Sequence, residues 1–282
     1  MTKNSQFQWL VFILFLSPIL VLGQSQLIPA SSSKQKIIQD FGLGKITVTY
    51  SRPNVKGRVI FGGINPYGQV WRTGANEATT INFSENVIME GQKVPAGSYS
   101  LFTIPEKDAW TIILNKTVEQ WGAYSYNKDL DLLHVFVKPN KIKVRTETFT
   151  IIFQNNTTKS TDMNLVWDQI SVPVHFETDD DAKITANIDS LMNGNRKPYY
   201  FNAIQYYYEN NKDLKKALSW AIEAQKVAPG PWFYLWEARI QLKLGDKKAA
   251  ATAAQAGIAL AKTSNDDEYI RLNQTVLDQS IK

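Results

Sequence analysis

An all-β sandwich followed by all-α helical hairpins is the multidomain fold that this 282-residue sequence predicts. Apolar and polar residues alternate with a period of two as far as Thr178, and the period changes to about 3.6 beyond it. The second half also repeats itself at an offset of 33 residues. A strand sends successive side chains to opposite faces, whereas a helix gathers residues three and four apart, so the change of period marks a domain boundary. The expected organisation is a targeting segment over residues 1–23, a linker over 24–34, a β-domain over 35–178 and a helical domain over 179–282.

The first residues read as a signal peptide. Lys3 supplies a positive start, Trp9 to Leu22 (WLVFILFLSPILVL) is apolar except at Ser17-Pro18, and Val21-Leu22-Gly23 precede a cleavage point ahead of Gln24. The run is short for a span of about 20 residues, and Pro18 weakens it as a helix. No cysteine follows that would carry a lipid, and no second apolar run appears. The expected product is exported, periplasmic or extracellular, with no integral membrane span after signal cleavage.

Strand signals follow in order. Lys36–Phe41 and Ile46–Tyr50 flank Gly42-Leu43-Gly44, a hairpin pattern, and Thr80–Phe83 and Val87–Met89 flank Ser84-Glu85-Asn86. Ser98–Ile104, Trp110–Leu114, Leu132–Val137, Thr148–Phe153, Asn164–Ile170 and Val172–Phe176 complete the set. Gly, Pro and Asn between short alternating runs point to an antiparallel sandwich or flattened barrel.

The helical signals begin at Asp179-Asp180-Asp181, acidic residues that suit a helix start. Ile184, Ile188, Leu191 and Met192 form an apolar stripe that Gly194 can end. Pro198 opens a second helix closed by Asn210-Asn211; Asp213, Asp246 and Asp266 cap later ones, Pro231 opens a fourth and Gly245 ends it. Ala217, Ala221 and Ala224 align with Ala250, Ala254 and Gly257, small residues where paired helices approach closely. That spacing resembles the tetratricopeptide repeat, whose period is about 34 residues. The Pro231–Leu244 helix is apolar nearly all round and must be covered on more than one side. In the second helix Tyr200, Phe201, Ile204, Tyr207 and Tyr208 share one arc, read as core. Tyr199 and Tyr206 fall opposite, against the neighbouring domain or on a partner-binding face.

Composition removes several function classes. The chain is 44% apolar, 12% aromatic and 20% charged, as expected of a folded protein. Absence of cysteine excludes disulfides, thiol nucleophiles and thiolate metal sites. The net charge of +5 is spread, with Lys and Arg interleaved among Asp and Glu, so nucleic acid is not an expected partner. There is no Gly-x-Ser-x-Gly elbow, phosphate loop or dinucleotide fingerprint, and no cofactor is expected. His134 follows Asp129 and Asp131, but on a continuous strand it would face away from both, so no metal is assigned there. A hydrogen-bonded role is expected for it and for His175, which lies between Val174 and Phe176.

The richest stretch is Pro66-Tyr67-Gly68-Gln69-Val70-Trp71-Arg72-Thr73-Gly74-Ala75-Asn76-Glu77-Ala78-Thr79-Thr80. Side chains this dense in hydrogen-bonding groups form either a self-satisfied turn or a site. In the first case Arg72 and Glu77 pair with each other or the backbone; in the second, Arg72, Asn76 and Glu77 converge beside the aromatic wall of Tyr67 and Trp71, with Arg52 nearby. Together with Ser51-Arg52-Pro53, Lys56-Gly57-Arg58, Pro95-Ala96-Gly97-Ser98-Tyr99 and Trp110-Thr111-Ile112-Ile113, the block resembles the bacterial domain of unknown function 2911 over roughly half the chain. The resemblance implies an exported β-domain and supplies no catalytic residues. The expected function is an exported, non-catalytic binding or interaction protein of the cell envelope, its partner an envelope protein or a small polar ligand. The alternative is a secreted hydrolase, with glycans as a candidate substrate, using Glu77 with Arg72 and Asn76.

Overall fold

The computed structural model describes residues 29–194 and 199–282. The expected signal segment, residues 24–28 of the linker and Pro198 lie outside these residues. The β-domain contains β1 (Ser33–Phe41), β2 (Gly44–Arg52), β3 (Thr79–Phe83), β4 (Val87–Met89) and β5 (Gln92–Val94). It continues with β6 (Gly97–Ile104), β7 (Trp110–Asn115), β8 (Asp131–Val137), β9 (Asn140–Gln154) and β10 (Ser160–Thr178). Six strands form one antiparallel sheet in the order β1-β2-β3-β6-β7-β8, and four form a second in the order β5-β4-β10-β9. Both contribute to one core, with Ile46, Val48, Ile81, Leu101 and Ile112 from the first sheet and Met89, Phe149, Leu165, Val174 and Phe176 from the second. This is the sandwich that the period of two predicts.

Three strands differ from the sequence expectation. β5 has no alternating signature of its own; Glu90 and Gly91, both at positive φ, turn the chain directly into it. Such a two-residue loop matches the twist of its strands, so the turn creates a strand the apolar pattern does not show. β9 starts at Asn140, ahead of the apolar pattern: its first half is charged and exposed, and it is held to β10 by the ladder and by Arg145 Nε donating to Asp168 Oδ1 (2.7 Å). β10 joins two expected strands. Its inward residues are Met163, Leu165 and Trp167, then Val172, Val174 and Phe176, so the alternation changes parity between them. Asp168, at φ +54, sits at that change, flanked by register shifts against β9.

The middle of the six-stranded sheet is covered on its outer face as well. Phe102 on β6 and Ile113 on β7 point away from the main core and are buried beneath Val70, Ala78, Ala123 and Tyr126, which come from loops. The loops before β3 and after β7 are thereby fixed to the sheet.

The helices are α1 (Asp181–Asn193), α2 (Tyr200–Glu209), α3 (Leu214–Val227), α4 (Pro231–Leu244), α5 (Lys247–Thr263) and α6 (Asp267–Ser280). Asp213, Asp246 and Asp266 cap α3, α5 and α6 through backbone amides of the first turn, and Gly245 ends α4 in the left-handed conformation. α4 is covered on two sides: Phe233, Trp236 and Ile240 pack with α2 and α3, while Leu235 and Ala238 pack with α5 and α6. The repeated small residues Ala217, Ala221, Ala224, Ala250, Ala254 and Gly257 are all buried. No helix among the described residues is long and apolar enough to cross a membrane.

The two domains meet at the β10–α1 junction. Asp180 is buried and accepts from Leu43 N at the β1–β2 turn (3.1 Å), rather than capping α1 with its side chain. Gly42 is required there: at φ +58, an added Cβ would lie 2.5 Å from Thr178 Cγ2.

Candidate ligand-binding cleft

The 66–78 segment is an ordered loop, not a strand. Trp71 exchanges two backbone hydrogen bonds with Thr103 of β6 (2.7 and 2.9 Å), and its indole N–H closes the turn on Gly74 O (3.0 Å). Thr79 returns to the loop through N–H to Arg72 O (3.1 Å) and hydroxyl to Thr73 O (2.7 Å). Gly74 passes so close to β2 that an added Cβ would meet Ser51 O at 2.9 Å. Trp71 itself is core, stacked on Trp167 of β10 at 5.6 Å with planes 19° apart and edge-on to Phe149, Phe61 and Trp110. The apolar anchor thus fixes the polar residues that follow it.

Those residues border a cleft of about 410 Å³. Its cationic side chains are Lys56, Arg58 and Arg72; its amides are Asn54, Asn65 and Asn76; Trp71 and Trp167 also line it, and no carboxylate among the described residues does. Arg58 is held by Val55 O (3.0 Å) and Asn54 O (2.6 Å), and Asn76 Nδ2 donates to Ser32 O (3.3 Å) and Ser51 Oγ (3.2 Å). Asn76 adopts φ +60, which asparagine tolerates better than most residues. Two donors differ from these. Arg72 Nε and Asn65 Nδ2 are buried without a hydrogen-bond partner among the described residues. An unpaired buried donor costs on the order of 1–3 kcal/mol, so two such atoms in one positive cleft mark a place where an acceptor completes the structure.

The other sequence candidates fall elsewhere. Arg52 spends its guanidinium on Phe149 O (3.1 Å) and Thr150 Oγ1 (2.7 Å), tying β2 to β9. Tyr67 belongs to a different cleft, beside Phe61 and Glu106. Glu77 is exposed and does not pair with Arg72; its carboxylate lies 3.7 Å from Lys34 Nζ and faces a third cleft with Trp121 and Glu119. The convergent trio of Arg72, Asn76 and Glu77 is therefore corrected to a pair plus a separate carboxylate, because the loop turns at Asn76 and sends the next side chain to the other side. Asn65, Lys56, Arg58 and Trp167 complete the cleft, and no local pattern links 54–65, 71–76 and 167 in sequence.

Tyr199 and Tyr206 share a groove between α1 and α2, but differ in access. Tyr199 is 69% exposed, while Tyr206 is buried and donates to Asp181 Oδ1 at 2.8 Å. α1 covers this side of α2, which is why Tyr206 is core while Phe201, expected as core, is partly exposed. Burial, then the hydrogen bond to Asp181, pushes the Tyr206 phenol well above its usual range.

His134 Nε2 lies 2.6 Å from Asp131 Oδ2 although the two stand three apart on one strand. A register shift between Leu114 and Asn115 disturbs the pairing there, and Asn115 and Tyr126 complete the bonding of the Asp131 carboxylate. The histidine is hydrogen-bonded but exposed. No group of three or more His, Asp or Glu side chains among the described residues is arranged to hold a metal ion.

A family model described as "Protein of unknown function (DUF2911)" matches residues 32–176, the whole β-domain from β1 to near the end of β10. Neither a curated protein nor a solved structure matches the chain.

Proposed function

Since the chain belongs to the DUF2911 family of unknown function, its role is to be sought in its own geometry, and we propose that it is an exported binding protein whose β-domain takes a small ligand bearing an oxyanion. The observation that carries this reading is the pair of buried donors, Arg72 Nε and Asn65 Nδ2, which have no partner among the described residues, in a cleft that Lys56 and Arg58 line and no carboxylate of the described residues does. Charge-assisted hydrogen bonds from a guanidinium to a carboxylate or phosphate are about twice as strong as neutral ones, and the surrounding cations would draw an anion in. Export rests on the pattern of residues 1–23.

Hydrolysis by Glu77 with Arg72 and Asn76 has no comparable support, since Glu77 opens on a different cleft from the other two. A non-catalytic role is the reading adopted. Calorimetric titration of the protein with inorganic phosphate, sulfate, succinate and citrate tests it. Saturable binding of one of these anions, weakened at least tenfold in Arg72→Ala with the melting temperature preserved, is the expected result. No binding by any of the four, or binding indifferent to Arg72, would refute it.

A further inference from the structure

We infer that the outer face of the six-stranded sheet carries a second site, independent of the cationic cleft, for a neutral saccharide seated against Trp121. Thr49 on β2 and Thr80 on β3 are register partners that both point outward and line a cleft of about 370 Å³. The loop after β7 makes one wall. It is anchored by Ser100 Oγ to Thr117 O (2.7 Å), and its tip pairs with the central block through Ala78 N to Gln120 O and Gly122 N to Asn76 O, both 3.0 Å. On this pinned backbone Trp121 is 62% exposed. An exposed indole on a fixed backbone presents a flat apolar surface to a ligand entering the cleft.

The polar groups of the cleft specify the rest. Glu77 and Glu119 are acceptors, Lys34 is a donor 3.7 Å from Glu77, and Thr49 and Thr80 offer hydroxyls of both kinds. Gln120 spends its amide N–H on Thr117 O (3.0 Å), while its Oε1 is buried and has no partner among the described residues. An anion would meet two carboxylates, and a simple ammonium ligand would compete with a lysine already present. A pyranose satisfies the whole set: its hydroxyls donate and accept, one of them can supply the donor Gln120 Oε1 lacks, and its C–H face lies on the indole.

Saturation-transfer NMR and calorimetry of the protein with glucose, galactose, mannose, N-acetylglucosamine, cellobiose and chitobiose test the inference. Saturable binding of at least one sugar is expected, weakened at least tenfold in Trp121→Ala and in Glu119→Gln, and retained within threefold in Trp121→Phe. Because Trp121 is exposed, each variant should melt like the parent. Absence of binding across the panel overturns the inference, as does binding indifferent to Trp121→Ala, or tetramethylammonium binding where no sugar binds. The anion titration reads the other cleft, so failure of one site leaves the other standing.

Discussion

Asp162 and His175 lie on the same strand, yet Asp162 Oδ1 and His175 Nδ1 are 2.6 Å apart. On a straight strand thirteen residues would hold them about 40 Å apart. Ser171 Oγ also reaches Asn164 Oδ1 (3.4 Å), and Thr178 N reaches Lys159 O (2.8 Å). β10 therefore bends back on itself around Asp168, and the Asp162–His175 pair clasps its two arms. The hydrogen bond to Asp162 raises the His175 pKa above its ordinary value; partial burial opposes this and Glu177 (3.3 Å) reinforces it.

The raised value fixes the sign of a pH dependence. The clasp contributes fully below the unfolded histidine value of about 6.5 and is lost as pH rises through the folded value. Imidazole NMR titration should place His175 above the model-peptide value, and Asp162→Asn should lower it. The melting difference between wild type and His175→Gln should be largest in mild acid and shrink in alkali.

Asp181 behaves in the opposite sense. It accepts from Lys159 of the β9–β10 loop (2.8 Å), from the Lys212 ammonium and from Tyr206, so one carboxylate joins the β-domain to α1 and α2. The Lys159 and Lys212 hydrogen bonds, in that order, hold its carboxyl well below the usual range. Its contribution is present above the unfolded value of about 3.9 and is lost as pH falls toward the folded one. Asp181→Asn should lower the melting temperature by roughly 2–4 °C at neutral pH, the scale of about 1 kcal/mol for a partly exposed network. The gap should close in acid, as differential scanning calorimetry would show.

Neighbouring residues of the central loop should respond differently to truncation. Arg72→Ala removes a donor whose Nε is buried and unpaired, so stability should hold or rise while anion binding falls. Asn76→Ala breaks bonds to Ser32 and Ser51 at a left-handed backbone position, and should cost about 1–3 kcal/mol. Glu77→Ala, exposed, should change stability by less than about 1 kcal/mol. Urea unfolding of the three variants measures this order. A loss for Arg72→Ala as large as for Asn76→Ala would make the loop a satisfied turn rather than a site.

Gly257→Ala tests the repeat. Alanine is the better helix former by about 1 kcal/mol. Here, however, its Cβ would collide with the buried Asn273 amide, which donates to Tyr269 O (2.9 Å) and reaches Pro231 O (3.4 Å). A net destabilisation of about 1–3 kcal/mol is expected by thermal melt. Ala224, the equivalent position one repeat earlier, already holds a buried methyl group.

The sequence by itself determined the two-domain order, most strands, six helices, and the caps at Asp213, Asp246, Asp266 and Gly245. These features depend on contacts between near neighbours: a period of two or 3.6, an aspartate before a helix, a glycine after one. It also showed that the 66–80 block was exceptional. Tertiary structure alone decided the rest. β5 arises from the Glu90-Gly91 turn rather than from its own pattern, and β10 bends back because its core parity changes at Asp168. Tyr206 is buried by α1, whose position depends on the junction at Asp180 and Asp181. The candidate cleft gathers residues near 56, 65, 72 and 167, and Glu77 parts from Arg72 because Asn76 takes a left-handed conformation. Periodicity reports which face of an element is buried; which distant faces meet depends on packing that no local pattern encodes.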